Sequence, residues 1–361
     1  MNDRPAKPFD LLALLAGFAR ANGIALDDPA LIPTFTDDAS RQLERALADP
    51  GLLHGTRTER LFEATVLTLG KFRLFKAEDN GVVHAATKLR APDFRVVLEN
   101  GEQRLIEVKN AYCEEPLEQE ITLTPAYYRS IQDYATAVEV PLWLAIYWAR
   151  WKIWTVVAPE PFLCSDGSVS IRLMDAMVVD QFAQLGDVSI ATRPPLRIVR
   201  DIPPQPFSGQ NLYEVTFVGP SRIFSGDVEL VDPRYRRLAE ILCLYGQWSV
   251  AEPEPILSGN DLVGAQLVFW PEEVSDQGFD GIGRASQIFS RFYAMETIEG
   301  DRIVQLLGQP QPDWFAPLSS WPFGKSGLPL WLFRWKPNHD LLDELKRGRD
   351  TVPLTTPSAA L

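Results

Sequence analysis

Two β-rich runs, 94–98 and 103–108, flank the tripeptide Glu99-Asn100-Gly101, and that turn constrains the fold more than any other feature of the chain. Asn-Gly is strong hairpin chemistry, so the runs predict an antiparallel pair. With a three-residue loop and Gly101 in the left-handed region, Leu98 faces Glu102 and Asp93 stands directly opposite Glu107. Side chains alternate along a strand, so Glu107 and Lys109 share one face while Ile106 and Val108 turn the other way, into a core. Two acids and an amine are thereby displayed together.

Paired carboxylates on adjacent strands offer the hard oxygen ligands that Mg²⁺ or Mn²⁺ takes. A lysine beside them can orient a water and offset charge building on a phosphate under attack, while a metal polarises the scissile group. Hydrolysis of a phosphodiester without a covalent intermediate is the chemistry this pattern suits.

The flanking sequence predicts a frame for the hairpin. Residues 58–69 repeat apolar side chains at Leu61, Phe62, Thr65, Val66 and Leu69, a helical stripe stopped by Gly70. A strand is expected at 72–75, closed by Asp79-Asn80-Gly81. Thr124 and Pro125 mark a helix start, and Tyr127, Ile131, Tyr134, Ala135 and Val138 form its apolar face. The almost wholly apolar run 142–149 reads as a central strand covered on both faces, and 152–157 as one more. The order is helix, three strands, helix, two strands. Upstream, 9–22 and 37–48 read as helices ended by the breaker Asp49-Pro50-Gly51. Downstream, Asp201-Ile202-Pro203-Pro204-Gln205-Pro206 reads as a linker. Three domains are expected: a helical extension at 1–50, a core domain at 51–200, and a β-rich mixed domain at 207–350 with helices at Pro233–Tyr245 and 283–293.

Pro92-Asp93, a hairpin, then Glu107-Val108-Lys109, in that order of elements, resembles the PD-(D/E)xK nuclease superfamily, which includes restriction endonucleases and Holliday-junction resolvases. The resemblance covers roughly 55–157. It implies an α/β fold with a restriction-endonuclease-like αβββαβ core, a mixed sheet flanked by helices. It also implies a Mg²⁺- or Mn²⁺-dependent endonuclease acting on DNA ahead of RNA, in a prokaryotic restriction or antiviral defence setting. Members add an acid from the first core helix. Glu59 and Glu63 both qualify, one turn apart on one face, and Glu59 is preferred because its spacing before Gly70 is similar to that of resolvase-like members. The implied metal ligands are thus Asp93, Glu107 and Glu59, with Lys109 catalytic and Gln132 or Tyr128 assisting from the second helix. Lys88 and Arg90, just upstream, are candidates for phosphate contact.

Composition sets the rivals. The net charge of −13 opposes the basic footprint usual for a nucleic-acid binder, although most of the acidic excess falls after residue 160. It keeps open a non-catalytic or partner-activated interaction subunit with a nuclease-like core, a DNA-repair or mobile-element nuclease, and a homodimer. Glu114, Glu115, Glu118 and Glu120 read as a solvated loop, with autoinhibition or partner docking as the functional alternative. Three scattered cysteines and three scattered histidines suit neither a disulfide framework nor a zinc site. With no membrane-length apolar run, a cytoplasmic protein is expected. Trp143, Trp148, Trp151 and Trp154 read as core and rim residues rather than base-stacking platforms.

Overall fold

The computed structural model describes residues 8–78, 89–201, 204–206, 213–215, 218–248, 251–270, 276, 278–320 and 327–350. The chain divides into two units, Met1–Arg57 and Thr58–Leu361. The first holds α1 (Pro8–Asn22) and α2 (Leu31–Leu47), joined by an edge contact of Phe18 on Phe35 with ring centroids 5.5 Å apart. Helix α2 begins six residues earlier than Asp37, and α3 (Pro50–Leu69) begins at the supposed breaker. The reason is common to both. Proline in a first turn forfeits an N–H that has no helical partner, so Pro33 and Pro50 start helices here. Asp49 adds a cap, its Oδ1 accepting the Leu52 N–H at 3.2 Å.

The second unit is built on a five-stranded mixed sheet. Its strands are β1 (Leu74–Ala77), β2 (Phe94–Val97), β3 (Gln103–Ala111), β5 (Leu142–Trp148) and β6 (Ile153–Val157), in the order β1-β2-β3-β5-β6. Between β3 and β5 the chain passes through the short β4 (Glu120–Leu123) and helix α4 (Pro125–Ala137), the crossover that a parallel β3–β5 pairing requires. Every other pairing in this sheet is antiparallel. The strand alternation sorts the two cores. Leu61, Phe62 and Val66 of α3 pack with Ile106, Val108, Trp143, Ala145 and Trp154, while Ile131 and Ala135 of α4 pack with Leu105, Leu142, Leu144 and Ile146 on the opposite face. All seven residues of β5 are buried, as its apolar run demands. The β1 strand lies two residues later than expected, and the turn at 79–81 lies outside the described residues.

The 201–206 segment does not separate two cores. Strand β7 (Val169–Arg172) pairs with β4, and after α5 (Leu173–Val178) come β8 (Ser189–Thr192) and β9 (Leu196–Asp201). Strand β9 is the middle of a second five-stranded sheet, paired on either side with Val218–Ser225 and Asp261–Phe269. Strand β8 lies between Asp280–Arg284 and Leu330–Phe333. Helices α6 (Pro233–Tyr245) and α7 (Ala285–Thr297) complete a core that runs continuously from Leu61 through Phe182 and Leu242 to Leu330. Strand β9 ends at Asp201, and Pro204–Pro206 forms a short strand paired with Tyr213–Val215. A buried polar clamp ties the sheets: Arg284 Nη1 meets Asp180 Oδ2 at 2.6 Å and the Trp154 carbonyl at 3.1 Å. Asp187 accepts from the Ser286 N–H and hydroxyl at 2.9 Å each. Among the described residues, no helix is long and apolar enough to cross a membrane.

Candidate active site

The site is set by the hairpin. Gly101 has φ +91°, the Gly101 N–H donates to the Leu98 carbonyl at 2.9 Å, and Leu98 and Glu102 close the loop at 2.8 Å. Asn100 Oδ1 adds an acceptor for the Glu102 N–H at 3.0 Å. The resulting register pairs Phe94 with Ile106, so the next pair along, Asp93 and Glu107, falls at the mouth of the hairpin. This is the register that the turn chemistry requires.

Glu107 is 1% exposed. Its Oε1 accepts from Lys109 Nζ at 2.6 Å and from the Tyr127 hydroxyl in a short hydrogen bond. Its Oε2 is buried and has no hydrogen-bond partner among the described residues. Asp93, 8% exposed, accepts the Val108 N–H on Oδ2 at 2.7 Å. Burial, then the charge of Glu107 and more weakly that of Glu59, push the Asp93 carboxyl up to about 8. For Lys109, burial opposes the ammonium, but Glu107 and Tyr127 prevail and hold its pKa above the ordinary lysine value. Burial and the Glu107 charge push the Tyr127 hydroxyl up to about 12. The three groups form a closed set: ammonium, phenol and carboxylate, with Lys109 Nζ also 2.8 Å from the Tyr127 oxygen.

Tyr127 is the residue that the sequence reading placed on an apolar face and gave no role. Thr124 caps α4, its Oγ1 accepting the Tyr127 N–H at 3.3 Å, which fixes Tyr127 in the first turn beside β3. The tyrosine of the neighbouring position differs: Tyr128 is raised by burial and then by Glu160, a group outside the acid pair. Gln132 is half-buried, and its Oε1 is buried without a hydrogen-bond partner among the described residues. Among the described residues, no hydrogen bond or ion pair joins Gln132 or Tyr128 to Asp93, Glu107 or Lys109. The hydroxyl that reaches the acids from α4 is Tyr127's.

The two helix acids also part company. Glu63 is paired with Arg60 on its own helix at 3.0 Å, whereas the Glu59 charge acts on Asp93. A further acid, Glu78, sits next to the hairpin, its N–H donating to the Asp93 carbonyl at 2.8 Å. Burial works against its charge, yet hydrogen bonds from Tyr134, Lys76 and Arg95 hold its pKa below the ordinary value. Glu78 is therefore neutralised locally. Arg90 is exposed and holds its guanidinium 4.8 Å from the Tyr127 ring centroid. Lys88 lies outside the described residues. Of the acidic run, Glu114, Glu115, Glu118 and Glu120 are exposed, with Arg150 donating to the Glu114 carbonyl at 2.9 Å and Glu120 engaged by Ser170. Among the described residues, no group of three or more His, Cys, Asp or Glu side chains is arranged to hold a metal ion.

No family model matches the chain, and no curated protein matches it. Among solved structures, the chain is similar to a Holliday junction resolvase, Hjc of Archaeoglobus fulgidus, an archaeal hyperthermophile. The match has 17% identity and a TM-score of 0.28, covering 37% of this chain and 96% of the resolvase.

Proposed function

We propose that the 58–157 core is a divalent-metal-dependent nuclease acting on phosphodiester bonds in DNA, in a restriction or defence setting. The observation that carries the reading is the approach of Asp93, just ahead of β2, to Glu107 on β3, where Asp93 accepts the Val108 N–H at 2.7 Å and feels the Glu107 charge, with the Lys109 ammonium 2.6 Å from Glu107. The donor chemistry fits a hard cation such as Mg²⁺ or Mn²⁺. Glu107 Oε2 is a buried carboxylate oxygen with no hydrogen-bond partner among the described residues, and Asp93 resists ionisation because it is buried beside the charges of Glu107 and Glu59, which the Lys109 ammonium only partly offsets. Asp93 and Glu107 would hold the ion, and Glu59, whose charge acts on Asp93, would join them only by a shift of its side chain, since the three do not form a ready-made cluster. When bound, the ion would polarise the phosphate and lower the cost of charge developing on it.

The remaining work falls to the chain's own groups. Lys109 keeps its proton, so it acts as a donor and a positive charge toward the phosphate and the attacking water, not as a base. Tyr127 fixes Glu107 Oε1 and, through the shared bond, the position of Lys109. Arg90, exposed beside Tyr127, is suited to a phosphate of the bound strand. The closed Lys109–Glu107–Tyr127 set and the net charge of −13 also support a second reading, a subunit that becomes active only with a partner. Plasmid digestion with and without Mg²⁺, comparing wild type with Asp93→Ala and Lys109→Ala, tests the first reading. Cutting that persists in both variants overturns it, and a wild type silent in every divalent ion favours the second.

A further inference from the structure

The segment Trp331-Leu332-Phe333-Arg334-Trp335-Lys336 carries two cations and no acid in a chain of net charge −13. Its three aromatics alternate, as a strand requires if they are to share a side, and all three line one cavity of about 850 Å³. That volume lies in the range of small-molecule sites. Trp151, from the β5–β6 turn, stands in the same wall.

These side chains are held in place, yet a large part of three of them is exposed. Trp335 is 58% exposed, Phe333 47% and Trp151 40%, exposures that would be costly for mobile apolar groups without a purpose. Yet two of the cavity's three indoles have their N–H tied to the protein: Trp335 Nε1 donates to Ser189 Oγ at 2.7 Å, and Trp151 Nε1 to the Pro116 carbonyl at 3.0 Å. Trp331 is fixed by stacking on Phe279, with centroids 3.7 Å apart and planes 17° from parallel. Trp335 and Trp151 are therefore held in place while much of each side chain stays exposed at the cavity, so stacking a ligand there costs little ordering; the buried Trp331 Nε1, by contrast, has no hydrogen-bond partner among the described residues. Cations border the rings. Lys336 lines this cavity and an adjoining one of about 410 Å³ that also includes Arg334 and Lys71. The Arg193 guanidinium lies 5.7 Å from the Phe279 ring centroid.

We propose that this cavity binds an unpaired nucleotide, its base stacked on the Trp335 and Trp151 rings and its phosphate facing Lys336. Planar rings held flat with cations beside them are the arrangement by which proteins take single-stranded nucleic acid without reading its sequence. An apolar peptide would use the same surface area but gain nothing from the fixed indole faces or from the cations. The proposal stands apart from the hydrolytic reading, because binding is measured without any divalent ion.

The experiment is fluorescence anisotropy in EDTA with a labelled oligothymidylate of about ten nucleotides, alone and as a duplex, with thymidine monophosphate as competitor. The wild-type chain is expected to bind the single strand in preference to the duplex. Trp335→Leu, which keeps apolar bulk and loses the π-face, is expected to weaken binding roughly tenfold or more, and Trp335→Phe to stay within about threefold of wild type. Lys336→Gln should weaken binding and flatten its dependence on salt. Competition by millimolar thymidine monophosphate assigns the site to a free nucleotide. Failure to compete assigns it to a base within a strand, and either result supports the class of ligand. Thermal melts confirm that each variant is folded. No binding of the single strand, or equal binding by Trp335→Leu and Trp335→Phe, overturns the proposal.

Discussion

Replacing Asp93 by asparagine should separate the cost of the buried acid from its use. The amide keeps an oxygen for the Val108 N–H, which Asp93 Oδ2 accepts at 2.7 Å, and removes only the ionisation. In the folded chain the Asp93 carboxyl is pushed from 3.8 to about 8 by burial and by the charges of Glu107 and Glu59. Between those two values the folded chain keeps a proton that the unfolded chain has released, so stability falls as pH rises and levels off above about 8. At about 1.4 kcal/mol per pH unit, the loss between about pH 5 and pH 9 is on the order of 4 kcal/mol. Urea unfolding in EDTA across that range is the assay. Wild type should lose this stability and Asp93→Asn should keep most of it, while other buried acids such as Asp187, raised to about 6, affect both proteins alike. Millimolar Mg²⁺ at about pH 8 should restore wild type and leave the variant unmoved, and the variant should not cut DNA. Parallel pH curves for the two proteins would refute the account of Asp93 as an acid held protonated by its neighbours.

Three further outcomes follow from the geometry. Glu59→Gln should lower the cleavage rate by about a hundredfold or more, the scale of losing a charged group in such a site, while Glu63→Gln, whose carboxylate serves Arg60, should stay within about twofold. Tyr127→Phe removes one of the two donors on Glu107 Oε1 and should cost about tenfold in rate at saturating Mg²⁺, in line with one hydrogen bond to a charged group. Arg284→Met leaves Asp180 and Asp187 buried without their cation and should cost about 3–5 kcal/mol in urea unfolding.

The part of the site that depends on local chemistry is legible in the sequence. Glu99-Asn100-Gly101 prescribes a turn, the turn prescribes a register, and strand alternation then puts Glu107 and Lys109 on one face. Choosing between Glu59 and Glu63 was harder, since two residues one turn apart share a helix face and only the packing shows that one meets Arg60 while the other's charge reaches Asp93. Tyr127 was hidden by its own pattern. It keeps the apolar period of Ile131 and Tyr134, and a tyrosine on the covered face of a helix carries a hydroxyl into the sheet. The breakers misled for a different reason, because proline opens a helix as readily as it ends one, and Pro50 does the former. The three-stranded sheet around β8 left little trace in the sequence. Strand β8 pairs with Leu330–Phe333, well over a hundred residues away, and pairings of that span carry no local signature.

The turn at Gly101 also has an evolutionary and engineering meaning. Loops of this kind ordinarily tolerate an added residue, yet here a single insertion that slips the ladder by one position would bring Ile106 or Val108 into line with Asp93 and drive Glu107 into the aliphatic layer beneath α3. A tip lying far from the chemistry thus works as the gauge that aligns it, and length changes there should be tolerated far less well than substitutions at the same positions.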